Sequence, residues 1–571
     1  MSKNNETYKS KNVIRAHISE LTFNNGEKLE IRANDIVLFV GPNNVGKSQS
    51  LKDIFSRCGS NSQTIVISNL SIIKEGESLR PLLDTISKGQ DSGAYVNYTI
   101  LGRGLTYDKN YGDTQFLKDY NLGSYREAFV TQLSTENRLG ICVPAPIINR
   151  NAIKLNPIQF AAFDYKYAKW LSDSFHKAFG NDLTPNTQHG ATIPLCIGPV
   201  VKLNKEYKNE MERQSDYATI LESYKQLHEQ GDGIKSFTGI LLYLMLDYYC
   251  IYLIDEPESF LHPPQARIMG QIIGETLREN QQAFISTHSE EIVKGLLDVC
   301  EDRLKIVRIT RKGDTNAFSV LDNVKIKEVF GDPLLKYSNI MSGLFHKTVV
   351  LCESDSDCKL YSLIENHIKQ ADGMYSETLF IHCGGKHRMA KTATALLALN
   401  VDVRLIPDID ILNDENIIKQ ISKVFGINWD NIKTDIHILT SNLHSHKERI
   451  NRSNARAEIN RVLDSANDDN LSNGEINKIR DIVKTISKWD IIKHGGKQSI
   501  PAGDATNAYN RLDCIFREHN IYIVSEGELE NFVKEVGGHG PDWVNRLLEE
   551  YPDLDNVVYQ KVRDFIRSIE L

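Results

Sequence analysis

Six apolar runs punctuate the chain without alternation: Ile36 to Val40, Tyr249 to Ile254, Ala283 to Ile285, Thr348 to Cys352, Val403 to Ile406 and Ile521 to Val524. A strand with one wet face alternates apolar and polar residues, so unbroken runs predict strands buried on both faces, the habit of parallel sheets in α/β proteins. Further strands are predicted at Thr64 to Ile67 and Ala94 to Ile100, and the charged stretch Glu206 to Gln230 predicts helix. The turn signal Gly331-Asp332-Pro333 separates a head, residues 1–335, from a second unit, 347–571, with a connecting helix over 336–346. The second unit is expected to carry a helical insert at about 441–514.

The chemistry sits where the runs end. The first is followed by Gly41-Pro42-Asn43-Asn44-Val45-Gly46-Lys47-Ser48, which fits the phosphate loop G-x-x-x-x-G-K-[ST]. A strand, a glycine turn with exposed N–H groups and a helix N-terminus together cradle phosphate oxygens. Gly41, Asn44 and Gly46 shape that loop; Lys47 would neutralise the β- and γ-phosphates of ATP, and Ser48 would place its hydroxyl on Mg²⁺. The second run ends in Asp255-Glu256, where Asp255 can hold the Mg²⁺ and Glu256 can orient or deprotonate the attacking water. The third leads through Ser286-Thr287 to His288, whose imidazole can reach the γ-phosphate.

With GPNNVGKS, IYLIDEPESFLHP and STHS in this order, the head resembles ABC-type ATPase heads, the group that includes SMC, Rad50 and RecF-like proteins. That resemblance extends to Gly231-Asp232-Gly233, opening an apolar helix ahead of the Asp255 strand. It implies that Gly231 and Gly233 meet ATP held by a partner head, and hence a homodimer. Gln230 stands where such segments usually carry a serine. The long separation of Lys47 from Asp255 predicts an insertion at about 60–215, which in related heads holds a helical arm.

In the second unit, Glu353 and Asp357 follow the Thr348 run, Asp408 and Asp410 follow the Val403 run, and Glu528 and Glu530 follow the Ile521 run. Parallel strands gather ligands at their C-terminal ends, so acids distant in sequence can converge. Crowded carboxylates repel one another unless cations neutralise them. Their hard oxygens suit Mg²⁺ or Mn²⁺, and a pair of such ions can clamp a phosphodiester during in-line displacement. Taken one at a time, each cluster is as compatible with acids that merely solvate a strand-end loop.

This order of acids, with Cys383-Gly384-Gly385 between them, resembles a TOPRIM domain. An ABC-type head followed by TOPRIM is similar to the OLD family of ATP-dependent endonucleases, which includes the Gabija nuclease subunit and retron-associated effectors acting against phage. The resemblance implies that Glu353, Asp357, Asp408, Asp410, Glu528 and Glu530 are metal-site acids. It also implies a late lysine supporting the scissile phosphate; Lys561 is the first choice, with Lys386 and Lys534 as competitors. Two departures stand out: Ser354 follows Glu353 where TOPRIM strands carry glycine, and Leu412 replaces the third acid of a D-x-D-x-D run, with Asp414 near.

Composition narrows the classes. The 571 residues suffice for several cores. No apolar stretch reaches the roughly twenty residues that span a bilayer, and the polar start lacks a secretory core, so no membrane partner and a cytoplasmic location are expected. Nine cysteines without a C-x-x-C pair argue against zinc and disulfides, which also disfavours a zinc-bearing primase. No tyrosine context marks a topoisomerase. The net charge of −8 does not advertise nucleic acid, but the lysines and arginines from Lys447 to Lys497 offer either a phosphate-binding face or a solvated helical surface. The leading expectation is therefore an ATP-regulated, Mg²⁺-dependent DNA endonuclease or nickase of antiphage defence. Its expected partners are DNA, a second copy, and a defence-system protein or retron RNA–DNA; oligomers above the dimer stay open. The alternative is a non-cleaving, ATP-switched clamp.

Overall fold

The computed structural model describes residues 13–203, 206–313, 315–321, 339–444, 452–464, 471–483, 488–569 and 571. The chain divides into two compact units, Met1–Phe345 and His346–Leu571. Gly331-Asp332-Pro333 and the start of the expected connecting helix, 336–338, lie outside the described residues. Its last part, Asn339–Phe345, is a 3₁₀-helix that belongs with the first unit.

The first unit is built on a six-stranded sheet in the order Thr315–Leu321, Leu304–Lys312, Ile36–Val40, Gln282–Ser286, Ile251–Asp255, Val130–Leu133. All neighbours run parallel except the first pair. Every residue of Ile36–Val40 and Gln282–Ser286 is buried, as unbroken apolar runs require. The parallel register sets Asp255 beside Ser286 and Ser286 beside Phe39, so the three motif-bearing loops leave one edge together. A separate antiparallel sheet joins Lys28–Glu30, Arg15–Phe23 and Ile67–Glu75.

The stretch 60–215 is not wholly an insertion. It supplies Ile67–Glu75 to the antiparallel sheet and Val130–Leu133 to the edge of the six-stranded one. The latter, Val-Thr-Gln-Leu, is short and half polar and pairs on one side only. The rest of the stretch adds the hairpins around Tyr95–Ile100 and the helices Pro157–Phe163 and Tyr165–Phe179. Of the charged stretch Glu206 to Gln230, only Glu210–Glu222 is an α-helix; it gives way to a short strand, Lys225–Gln226, and a 3₁₀ turn, Leu227–Glu229.

The second unit has a parallel sheet in the order Thr378–His382, Thr348–Cys352, Asp402–Ile406. The run Ile521 to Val524 lies along its edge, bridged in parallel to Leu405, with Tyr522 N–H donating to Leu405 O at 2.8 Å and Val524 N–H to Pro407 O at 3.0 Å. All four segments therefore deliver their following residues to one end. One face is covered by a core of Leu360, Tyr361, Phe532, Trp543, Val562 and Phe565 among others. The expected insert is helical, beginning earlier, at Trp429–His444, and including Lys488–Gly495. No helix among the described residues is long and apolar enough to cross a membrane.

Candidate functional site

The phosphate loop owes its shape to two glycines. Gly41 has φ +140°, and a Cβ there would lie 2.1 Å from Ile309 O; Gly46 has φ +101° and caps the helix Lys47–Gly59. Asn44 also takes positive φ, 60°. Lys47 is buried and folds over its own loop, donating to Gly41 O at 2.9 Å and Pro42 O at 2.6 Å. Burial depresses its pKa to about 8, against the opposing pull of Glu256, Glu258 and Asp255. The ammonium is thus held where only carbonyls and nearby carboxylates compensate it, a place that favours a phosphate.

Opposite the loop, Ser286 donates its hydroxyl to Asp255 Oδ1. Glu256 sits at φ 45°, a conformation that costs a non-glycine residue roughly 1–3 kcal/mol and that clusters at working sites. Its Oε1 is 3.6 Å from His288 Nε2, so the two side chains expected to act on ATP face each other. Desolvation, then the Lys47 charge, holds His288 below its ordinary pKa. Two partners escaped the sequence reading. Glu258 accepts from the His288 backbone N–H at 2.6 Å. Arg138, buried just after the edge strand, donates to Asp255 O and, at 3.2 Å, to Glu256 O, fixing the turn that carries both acids. Nothing near position 138 marks it, because its role exists only once the edge strand pairs.

Gly231 caps the helix Asp232–Leu244 and is open to solvent, whereas a Cβ on Gly233 would come within 2.5 Å of Phe260 O. Gly233 is therefore explained within one chain by backbone approach. Ser48, at the start of its helix, completes the loop.

In the second unit the acids converge. Ligand oxygens of Glu353, Asp408 and Asp410 lie within 4.8 Å of one another, and a second trio joins Glu528, Glu530 and His539 on the same criterion. Burial and the charge of Asp410 raise Glu353; burial and the charge of Glu353 raise Asp408 well above the carboxylate range. Asp410 Oδ1 is buried with no hydrogen-bond partner among the described residues. Hard oxygens, mutual repulsion and an orphaned buried lone pair are what a divalent cation would satisfy.

Cations from this chain already lie among the acids. Lys493 Nζ is 3.6 Å from Asp408 Oδ2, 3.7 Å from Asp410 Oδ2 and 3.8 Å from Glu528 Oε2. Lys386 Nζ is 3.1 Å from Asp410 Oδ2. His494 Nδ1 is 2.7 Å from Glu528 Oε1, and His539 Nδ1 is 2.6 Å from Glu530 Oε1. Burial opposes the charge of Lys493, but Asp410, Asp408, Glu528 and Glu353 outweigh it and raise its pKa.

The remaining expectations sort by geometry. Asp357 is a helix cap: Ser354 N–H donates to its Oδ2 at 2.8 Å, its own N–H donates to Ser354 Oγ at 3.3 Å, and it stands in neither trio. That box also explains Ser354, whose φ of −121° needs no glycine. Asp414 caps the next helix through Asn416 and Ile417 N–H, and Leu412 is buried core. Lys561 is exposed on the last helix, and no ion pair among the described residues joins it to the acids. Lys386 lies nearer, 3.1 Å from Asp410 Oδ2, and Lys534 reaches the rim, 3.4 Å from His494 O. Of the basic stretch, Lys447, Arg449 and Lys484 lie outside the described residues. Arg452, Arg456, Arg461, Lys478 and Arg480 are exposed on helices, while Lys493 turns inward. Eight of nine cysteines are buried thiols.

A family model described as an AAA ATPase domain matches residues 171–293, which hold Asp255, Glu256 and His288. The Old nuclease of Escherichia phage P2 is 22% identical over 330 residues, 56% of this chain and 50% of that protein, so the chain's match spans half the length of this relative. An uncharacterized protein of Methanocaldococcus jannaschii, MJECL11, is 30% identical over 108 residues, 18% of this chain and 95% of that protein. Among solved structures, an SMC head bound to the C-winged helix domain of ScpA aligns with 55% of this chain and 100% of its own, at 12% identity and a TM-score of 0.34. The SMC head domain of Thermotoga maritima aligns with 54% and 99%, at 11% identity and a TM-score of 0.28. The chain thus belongs, over those 108 residues, to the same family as the archaeal protein, and it is a homologue of the Old nuclease with an OLD-like P-loop ATPase module.

Proposed function

We propose that the chain is an ATP-governed, Mg²⁺-dependent DNA endonuclease or nickase of the OLD type, its second unit a TOPRIM domain. The observation that carries this reading is the meeting of Glu353, Asp408 and Asp410 in one trio and Glu528, Glu530 and His539 in another, spanned by one lysine. Two divalent cations, when bound there, would stabilise the attacking and leaving oxygens of a phosphodiester. The first trio would hold one ion and the second the other, with Mn²⁺ able to replace Mg²⁺. His494 steadies the Glu528 carboxylate through its ring nitrogen, and Gly540 N–H does the same for Glu530 at 2.7 Å. Lys386, with Lys534 at the rim, supplies positive charge for the scissile phosphate.

In the head, Lys47 and the loop bind ATP, Ser48 and Asp255 hold its Mg²⁺, and Glu256 and His288 orient water at the γ-phosphate. Gly231, open on its helix cap, is available to a second head, which supports an ATP-dependent homodimer. Antiphage defence, a cytoplasmic setting and a partner protein or retron RNA–DNA as trigger complete the proposal.

The test is supercoiled plasmid incubated with purified protein, with and without Mg²⁺ and ATP. Relaxed or linear product that requires Mg²⁺ and disappears in Glu353→Ala and Asp408→Ala is expected. Cleavage that survives both substitutions would reject the site.

A further inference from the structure

Lys493 belongs to the helix Lys488–Gly495 of the insert, not to the strands that deliver the acids. Its ammonium is the only cation among the described residues within 4 Å of both trios: it pairs with Asp408 and Asp410 of one and Glu528 of the other. Among the acids of the described residues, Lys386 reaches only Asp410. An ammonium is a compact point charge on a flexible four-carbon stem, so it can fill the space between carboxylates that a cation would otherwise neutralise.

The backbone of Lys493 is pinned. Lys493 O accepts from Asn531 Nδ2 at 2.7 Å, and it lies so near Gly527 that a Cβ there would approach to 2.0 Å. Gly527 O in turn accepts from Ile409 N–H at 3.0 Å, beside Asp408 and Asp410. The insert is thereby locked onto the two acid loops at the residue whose side chain enters the cluster. Such anchoring fits a positioning role better than an accidental surface pair.

Resting on the reading of these acids as a divalent-cation centre, we infer that Lys493 is its internal counter-ion: the ammonium holds the two trios in register without metal and is displaced when divalent ions enter. Lys493 is a positioning residue whose partners change with metal loading. One charge cannot neutralise both trios, whereas two divalent ions can, so the exchange runs toward metal at sufficient concentration.

The experiment uses the full chain, stripped with EDTA and free of nucleotide, and titrates Mn²⁺ by calorimetry in wild type, Lys493→Met and Lys493→Arg. Removing the competing charge should tighten Mn²⁺ binding in Lys493→Met by about tenfold or more, the effect of at least one displaced cation interaction, while Lys493→Arg stays near wild type. Lys493→Met should also melt below wild type in EDTA, with the gap closing on Mn²⁺ addition. Equal or weaker Mn²⁺ binding in Lys493→Met would overturn the inference and leave the metal centre standing. No Mn²⁺ binding by wild type or either variant would remove both. Should Lys493→Met not fold, amine labelling of wild type decides: Lys493 should react faster with Mn²⁺ than with EDTA, and unchanged or slower labelling would overturn the displacement.

Discussion

The two units solve the same electrostatic problem with opposite signs. The head buries a cation: Lys47 is enclosed by its own loop, and desolvation depresses its pKa. The second unit buries anions, and desolvation with mutual repulsion raises Glu353 and Asp408. In each, a charge is kept out of water at a cost that a complementary ligand would relieve: phosphate in the head and, on the proposed reading, a divalent cation in the second unit. They differ in how the site is assembled. The head's working groups lie within three short motifs, each at the end of a parallel strand. The acid centre needs three strand ends, a mid-chain helix and a glycine-rich loop.

The comparison breaks most sharply if the units fail to separate genetically. Glu353→Ala or Asp408→Ala should lower plasmid cleavage by on the order of 10³-fold, since a bound metal supplies several kcal/mol to the transition state. Nucleotide binding, measured with a fluorescent ATP analogue, should be unchanged because no acid of this unit helps build the phosphate loop. The reverse substitution, Glu256→Gln, should slow phosphate release by on the order of 10²-fold, the usual worth of a positioned base. ATP affinity should survive it, since Lys47 and its loop are untouched. Loss of ATP binding in Glu353→Ala or Asp408→Ala would show that the two charge traps are not independent.

Legibility in the sequence follows from this difference in assembly. The phosphate loop, Asp255, Glu256 and His288 were readable because strand, turn and side chain are contiguous, and the structure sets Glu256 against His288. The six acids were readable as strand-end residues, but their partners were not. Lys493 and His494 look in sequence like any residues of a basic helical stretch, and only the fold of the insert brings them to the acids. His539 sits in a glycine run that reads as a helix break, yet it meets Glu530. Asp357, an acid at a suggestive spacing, caps its helix and stands in neither trio. Arg138 was hidden because the edge strand before it is too short and polar to be recognised.

A packing change sharpens the contrast. Gly527→Ala places a Cβ 2.0 Å from Lys493 O and forces alanine to φ +108°. Overpacking costs about 1–3 kcal/mol and the left-handed backbone roughly 1–2 more, so the second unit should unfold at clearly lower denaturant concentration and lose cleavage. Gly384→Ala also meets a positive φ, 68°, but its nearest obstacle is an Arg388 nitrogen at 3.6 Å; only the backbone term should appear. If both variants lose equal stability, the close approach of insert and acid loop is not what Gly527 provides.

The smallest effect tests the sign of the head's trap. Burial pushes the Lys47 ammonium down to about 8 from the 10.5 of an unperturbed lysine. Phosphates bind the ammonium form, so above about pH 8 binding must first return a proton to Lys47, and ATP affinity should fall by up to about tenfold per pH unit. His288, held below its ordinary 6.5, is already neutral there and adds no slope. Lys47→Arg should abolish the slope whatever it does to absolute affinity, because a guanidinium keeps its proton across this range. An ATP affinity flat from pH 7 to 9.5 in wild type would mean that the loop carbonyls and the carboxylates of Glu256, Glu258 and Asp255 fully compensate burial, and that the head holds no stored charge penalty for phosphate to relieve.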